Sequence, residues 1–314
     1  MELRTLGKSG LQVSKVGLGC NNFGMTIDLD ATRKVVNAAL EAGVTLLDTA
    51  DIYGKSGGSE TMLGQILGER RKAIVLATKF GMQMDKAGVL KGGSRRYLMA
   101  AAEDSLKRLK TDWIDLYQLH QPDPLTPLEE TLRALDDLIR HGKVRYIGCS
   151  NLPAWQVVEA HWTAKDLGIN AFVSCQDEYS LLVREPDRDL IPAMQSYGLG
   201  LLPFFPLASG LLTGKYQRAV EPAAGTRFAS MGGLAKRYAN EKNWPIVERL
   251  KAFAESRGHT LLELAFSWLV ARPTVASVIA GATSPEQIAQ NVKAADWQLS
   301  AAELAEVDTI TRKS

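Results

Sequence analysis

Eight short apolar runs, separated by segments of helical periodicity, constrain this chain more than any other feature. They fall at 16–18, 44–47, 73–78, 114–119, 144–148, 171–174, 199–203 and 275–279. Short apolar runs that alternate with helices are the pattern of parallel strands in βαβ units. Helices are expected at 30–42, 58–69, 94–110, 127–141, 153–167, 187–197, 260–271 and 285–295. Eight such units predict a closed α/β barrel of the (β/α)8, or TIM, type. One barrel domain over 1–314 suits this length, and 1–6 and 11–13 around the turn Gly7-Lys8-Ser9-Gly10 read as a β-hairpin ahead of it.

Helix ends carry local signals. In Thr126-Pro127-Leu128-Glu129 the threonine is expected to cap, the proline to take the first helical position and the glutamate to close a capping box. Ser284-Pro285-Glu286-Gln287 repeats that grammar, and Ser300-Ala301-Ala302-Glu303 starts a short terminal helix. Gly142 and Gly168 read as helix stops. The glycine-rich stretch 208–240 follows the seventh strand, and a loop of that length on the catalytic side of a barrel is read as a lid or cofactor clamp.

Composition narrows the function classes. A net charge of +2 with both signs interspersed gives no nucleic-acid surface, and no apolar run is long enough for a membrane span. The N-terminus lacks the pattern of a secretory signal. Cys20, Cys149 and Cys175 are odd in number and lack metal-type spacing, so they read as small buried hydrophobes in a reduced, cytoplasmic setting. No metal site is expected.

The apolar runs lead to polar residues: Asp48, Lys79, His120, Ser150 and Gln176 stand at the ends of five of them. In a barrel all carboxyl ends meet at one face, which carries the active site. Asp48, Tyr53, Lys79 and His120 would form a proton-transfer site there. A phenol of pKa about 10 is a poor acid at neutral pH, and a neighbouring ammonium lowers it. Taken singly, Asp48 reads equally as a cap or ion-pair member and His120 as a loop hydrogen-bonder; the combination carries the weight. General acid catalysis contributes about 10²–10⁴-fold, so a further contributor such as a hydride donor is needed.

The segment 43–54, Gly-Val-Thr-Leu-Leu-Asp-Thr-Ala-Asp-Ile-Tyr-Gly, resembles the first signature of the aldo-keto reductases. The segment 114–120, ending in His120, and Ile147-Gly148-Cys149-Ser150-Asn151 resemble further elements of that family, and the likeness spans the chain. It implies that Tyr53 is the general acid, that Lys79 depresses its pKa, that Asp48 supports the lysine and that His120 orients the carbonyl. The implied reaction is reduction of an aldehyde or ketone by NADPH, with NADH as the alternative, on a small-molecule substrate.

The resemblance also implies a cofactor channel. Gly19, Cys20, Asn21 and Asp48 belong to its floor, and Ser150, Asn151 and Gln176 are expected at the nicotinamide carboxamide. Asn151 also reads as a helix cap before Pro153. Phe204 is the expected ring on the nicotinamide, and Phe205 departs from a serine common in the family. Pro206, Leu207, Ser209, Gly210, Leu211 and Lys215 resemble the pyrophosphate wrap, and Arg227 a further cofactor arginine. Gly281, Thr283, Gln287, Gln290 and Asn291 resemble the adenosine end. There a lysine and an arginine of many mammalian members are replaced, as in bacterial and potassium-channel β-subunit branches. Asn21, Phe23, Tyr53, Phe80 and His120 are the expected substrate walls, with Met25, Met82 and 87–96 beside them, and Trp155 is read as helix packing. Two other functions stay open. One is an NADPH-binding redox sensor of slow turnover, and the other a Schiff-base aldolase using Lys79.

Overall fold

The computed structural model describes residues 1–312. Strands β1 (Leu3–Thr5) and β2 (Gln12–Ser14) pair antiparallel as the N-terminal hairpin. The barrel strands follow: β3 (Val16–Gly19), β4 (Leu46–Asp48), β5 (Val75–Phe80), β6 (Ile114–Leu119), β7 (Val144–Ser150), β8 (Ser174–Glu178), β9 (Gly200–Phe204) and β10 (Val278–Gly281). They form one parallel sheet in the order β10-β3-β4-β5-β6-β7-β8-β9. The Leu201 amide donates to the Thr274 carbonyl at 2.7 Å and the Ala276 amide to the Leu201 carbonyl at 3.0 Å, which closes the ring beside β9.

Eight helices belong to the outer layer around the strands: α1 (Leu29–Glu41), α2 (Tyr53–Ile66), α3 (Arg95–Leu109), α4 (Leu128–Arg140), α5 (Ala154–Leu167), α6 (Leu190–Tyr197), and, further along, α10 (Leu261–Val270) and α11 (Pro285–Lys293). Between α6 and α10 lie α7 (Arg227–Ser230), α8 (Gly232–Tyr238) and α9 (Trp244–Glu255), and α12 (Ala301–Thr311) ends the described chain. Strands buried on both faces need apolar side chains on both, hence their near-continuous apolar runs. Leu46, Ala77, Leu116, Leu202 and Ile279 cluster with Leu6 and Val13 from the hairpin segment, so the hairpin packs against the barrel interior. All three cysteines are buried and free. No helix among the described residues is long and apolar enough to cross a membrane.

Several local expectations need correction. The strands expected at 44–47, 73–78, 144–148, 171–174 and 275–279 end one to four residues later, so Asp48, Lys79, Ser150 and Gln176 are strand residues rather than the first residues of loops. Thr126 does not cap α4. Its hydroxyl donates to Asp123 at 2.7 Å, and Pro127 takes the cap position without a side-chain bond. Asn151 does not cap α5, whose cap position is Pro153. Trp155 is 66% exposed on the first turn of α5 and is not a packing residue. Helix α9 lies outside the expected helices, although Trp244, Ile246, Val247, Leu250, Phe253 and Ala254 bury one face of it. The full capping box at Ser300 and Glu303 is present, as are the helix stops at Gly142 and Gly168, both with positive φ.

Candidate active site

The site is assembled by backbone bonds between consecutive strand ends. The Cys20 amide donates to the Asp48 carbonyl at 2.8 Å, Asp51 to Lys79 at 3.1 Å, His120 to Phe80 at 2.8 Å and Asn151 to Gln176 at 3.0 Å. These bonds tie the ends of β3 to β6 into one group and those of β7 and β8 into another, so side chains remote in sequence share one face. Tyr53 follows a turn in which its amide donates to the Ala50 carbonyl at 3.1 Å. Immediately after it, Gly54, Lys55, Ser56 and Gly57 take left-handed conformations, so regular helix begins near the expected position 58. At Gly54 the conformation requires glycine: φ is +70°, and a Cβ there would stand 2.5 Å from the Phe23 carbonyl oxygen.

Lys79 is wholly buried. Its ammonium donates to Asp48 Oδ2 at 2.6 Å and to the Thr49 carbonyl at 2.9 Å, and lies 5.0 Å from the Tyr53 ring centroid. The other carboxylate oxygen of Asp48 accepts from Gln176 Nε2 at 2.9 Å and from Gln118 Nε2 at 3.2 Å. The His120 ring meets the Tyr53 ring edge-on, with centroids 5.6 Å apart.

Titration follows from this geometry. Burial is the largest single influence on Lys79 and lowers its pKa, but the charges and hydrogen bonds of Asp48 and Tyr53 together outweigh it, and the group ends above its ordinary value. The lysine is therefore an ammonium. Burial raises Tyr53, the Lys79 charge pulls it down and Asp48 pushes it up, for a net rise. The expected lysine effect is present with the right sign but does not prevail over desolvation, and Tyr53 holds its proton at neutral pH. Burial, reinforced by Lys79, presses His120 down to about 3, so its imidazole is neutral; its Nδ1 is buried without a partner.

These groups face a cleft of ≈ 960 Å³ that runs from Tyr53, His120 and Asp48 to Gln290 and Asn291 on α11. Every expected cofactor residue lines it except Leu211, which is fully buried in the outer core. Lys79 lies behind the lining. Among the expected substrate walls, Asn21, Tyr53 and His120 line the cleft, whereas Phe23 and Phe80 are buried core residues: their rings satisfy the packing beneath the loops instead. Met25 and Met82 do not line it either.

The chemical character of the side chains changes along the cleft. Hydroxyl and amide groups of Ser150, Asn151 and Gln176 lie beside the tetrad, Lys215 and Arg227 bring positive charge, and Gln287 and Asn291 bring amides at the far end. Asn151 Nδ2 donates to the His120 carbonyl at 3.0 Å and to Ser150 Oγ at 3.1 Å, in a left-handed backbone conformation with φ +60°. Ser284 caps α11, and Gln287 Oε1 accepts from the Thr283 amide at 2.9 Å rather than closing the capping box. The segment 208–240 is anchored on the rim by Tyr238 and Arg237, both bonded to Glu178, and is braced within itself by the Tyr216–Phe228 stack, with ring centroids 4.3 Å apart. From it Arg227 reaches Asn22 Oδ1 at 3.2 Å.

Sequence reasoning missed Gln118, Asn22, Thr26, Thr226, Ser230, Met231, Thr260, Glu263 and Lys293. Two signals were available. The Thr260–Glu263 capping box marks a helix start, and Gln287, Gln290 and Lys293 are spaced three apart on one helix. Nothing in the sequence marks Gln118, which lies inside an apolar strand.

A family model for the Aldo/keto reductase family matches residues 15–312. Relatives include a rice protein described as a probable voltage-gated potassium channel subunit beta, 38% identical, over 94% of this chain and 92% of that protein. An uncharacterized oxidoreductase, YrpG, of Bacillus subtilis is 35% identical over 95% and 92%. An L-glyceraldehyde 3-phosphate reductase of Escherichia coli is 34% identical over 98% and 92%. The chain belongs to the aldo/keto reductase family, and so to the oxidoreductases that reduce carbonyl compounds with NAD(P)H.

Proposed function

We propose that this protein reduces an aldehyde or ketone with NADPH, Tyr53 delivering the proton and His120 orienting the carbonyl oxygen. The observation that carries the reading is the buried Asp48–Lys79 pair set against Tyr53 at the end of the long cleft. Ser150, Asn151 and Gln176 would hold the carboxamide, Phe204 and Phe205 the ring region, Lys215 and Arg227 the phosphates, and Thr283, Gln287 and Asn291 the adenosine end. When bound, the reduced nicotinamide supplies the hydride. The protein's part is then to give a proton to the carbonyl oxygen from Tyr53 and to stabilise the phenolate left behind with the Lys79 ammonium. A neutral His120 donates a hydrogen bond to that oxygen without competing for the proton. A lysine locked as an ammonium behind the cleft offers no free amine, which weighs against Schiff-base chemistry.

The test is a fluorescence titration with NADPH and NADH, then turnover of aromatic and aliphatic aldehydes by wild type and Tyr53→Phe. Tyr53→Phe is expected to lose about 10²–10⁴-fold in turnover with cofactor affinity kept within a few-fold. Undiminished turnover refutes the assigned acid. The likeness to proteins described as channel β-subunits favours one second reading, a sensor that binds NADPH and turns over slowly. A single turnover with the oxidised cofactor retained would select it.

A further inference from the structure

Gln118 does not line the cleft, yet it is fully buried and bonded to Asp48. On β6 it stands in register with Lys79 of β5 and with Gly148 of β7. The neighbouring glycine makes its long side chain possible inside the barrel: a Cβ on Gly148 would lie 3.3 Å from Gln118 Cγ and 2.5 Å from Ser174 Oγ. The amide orientation follows from chemistry. Its nitrogen lies 3.2 Å from Asp48 Oδ1, and the reversed amide would set a carbonyl oxygen against a carboxylate. Its own Oε1 is left buried without a partner, a cost the fold carries to keep the donor in place.

We propose that Gln118 is a positioning residue of the proton-transfer site. Its N–H holds Asp48 with one oxygen toward Lys79 and draws off part of the carboxylate charge, so that the Lys79 charge acts on Tyr53. Two observations separate Gln118 from the other donor, Gln176. Gln176 lines the cleft and is the proposed carboxamide contact, so its amide is shared; among the described residues the Gln118 side chain bonds to Asp48 alone. The two carboxylate oxygens are also divided: Oδ2 takes the ammonium at 2.6 Å and Oδ1 takes the amides. The Asp48 charge opposes ionisation of Tyr53 and the Lys79 charge favours it. An N–H dipole aimed at the far carboxylate oxygen weakens the first without touching the second. This inference rests on Tyr53 being the proton donor.

The experiment replaces the donor with an apolar side chain of similar length, Gln118→Met, with Gln118→Leu as a second variant should the first fail to fold. The readout that needs no turnover is the ionisation midpoint of Tyr53, followed through the ζ-carbon shift of isotope-labelled tyrosine and assigned with Tyr53→Phe. The midpoint is expected to rise by about half to one pH unit. At neutral pH, turnover is expected to fall about threefold, with NADPH affinity held within about twofold. A midpoint that stays in place or falls overturns the proposal, including the case where turnover drops through loss of packing alone. Full turnover by Tyr53→Phe would instead overturn the proposed function and with it the catalytic role of Gln118, while the tyrosine midpoint would still report whether Gln118 tunes the ionisation of Tyr53.

Discussion

Asp51, two residues before Tyr53, is the group whose replacement makes the sharpest demand on this structure. Its Oδ2 accepts from the Tyr97 hydroxyl at 3.1 Å, while Oδ1 is buried with no partner. It is faced by Glu60 from α2, Tyr97 and Arg108 from α3 and Tyr117 from β6. Glu60 is held by Thr78 at 2.5 Å and Arg108 at 2.6 Å. Burial first, and Glu60 second, push the Asp51 carboxyl from 3.8 up to about 7, against the Tyr97 bond and Arg108. The folded state therefore keeps a proton on Asp51 that the unfolded chain gives up above 3.8. Its contribution to stability is present in full at low pH and declines as pH rises through that window to about 7. A shift of about three units corresponds to about 4 kcal/mol, the ceiling on what an asparagine would recover. Allowing for the extra N–H that the amide must satisfy, Asp51→Asn is expected to gain about 2 kcal/mol near pH 8 and nothing near pH 4. Urea unfolding of both proteins across that range, with m-values compared, measures the difference. A gap that does not vary with pH, or a wild type more stable near pH 8, refutes the argument.

Two further outcomes follow from the same geometry. With its pKa pressed to about 3, His120 stays neutral across the working range, so no limb of kcat/KM between about pH 5 and 7 belongs to it; a limb that vanishes in His120→Asn would contradict this. Gly54→Ala puts a Cβ against two backbone atoms at 2.5 Å in a left-handed conformation. It is expected to cost about 2–4 kcal/mol and to lower turnover more than cofactor affinity, because Tyr53 is displaced; an unchanged melting temperature would show that the turn relaxes freely.

How far the fold was legible can be judged strand by strand. The apolar runs located all eight barrel strands, but seven of the strands continue one to four residues beyond their runs. Asp48, Lys79 and Gln176 looked like loop residues because polar side chains usually end a buried strand. They continue it here because they satisfy one another: the carboxylate takes the ammonium and the amide inside the barrel. Trp155 misled in the opposite direction, since a tryptophan two residues into a helix gives no sign of which way the helix is turned. Phe23 and Phe80 were read as pocket walls from their nearness to functional residues. Both rings are buried in the core instead, Phe80 with the helices outside β5 and β6 and Phe23 with α1 and α2.

Alone, the sequence determined the barrel, the hairpin ahead of it and the family likeness, because hydrophobic periodicity and a residue pattern shared with a family are local properties of a chain. Tertiary structure alone decided three things. It fixed how far each strand runs before its loop, which residues line the cleft and which hide behind it, and the sign of each pKa shift. Tyr53 shows why. Its nearest charge, Lys79, could be guessed, but the desolvation that outweighs it depends on every element packed around the phenol. Gln118 shows the same for contacts. It meets Asp48 across 70 positions of chain, with no local signal to mark it, because only closure of the barrel brings β6 and β4 to the same interior.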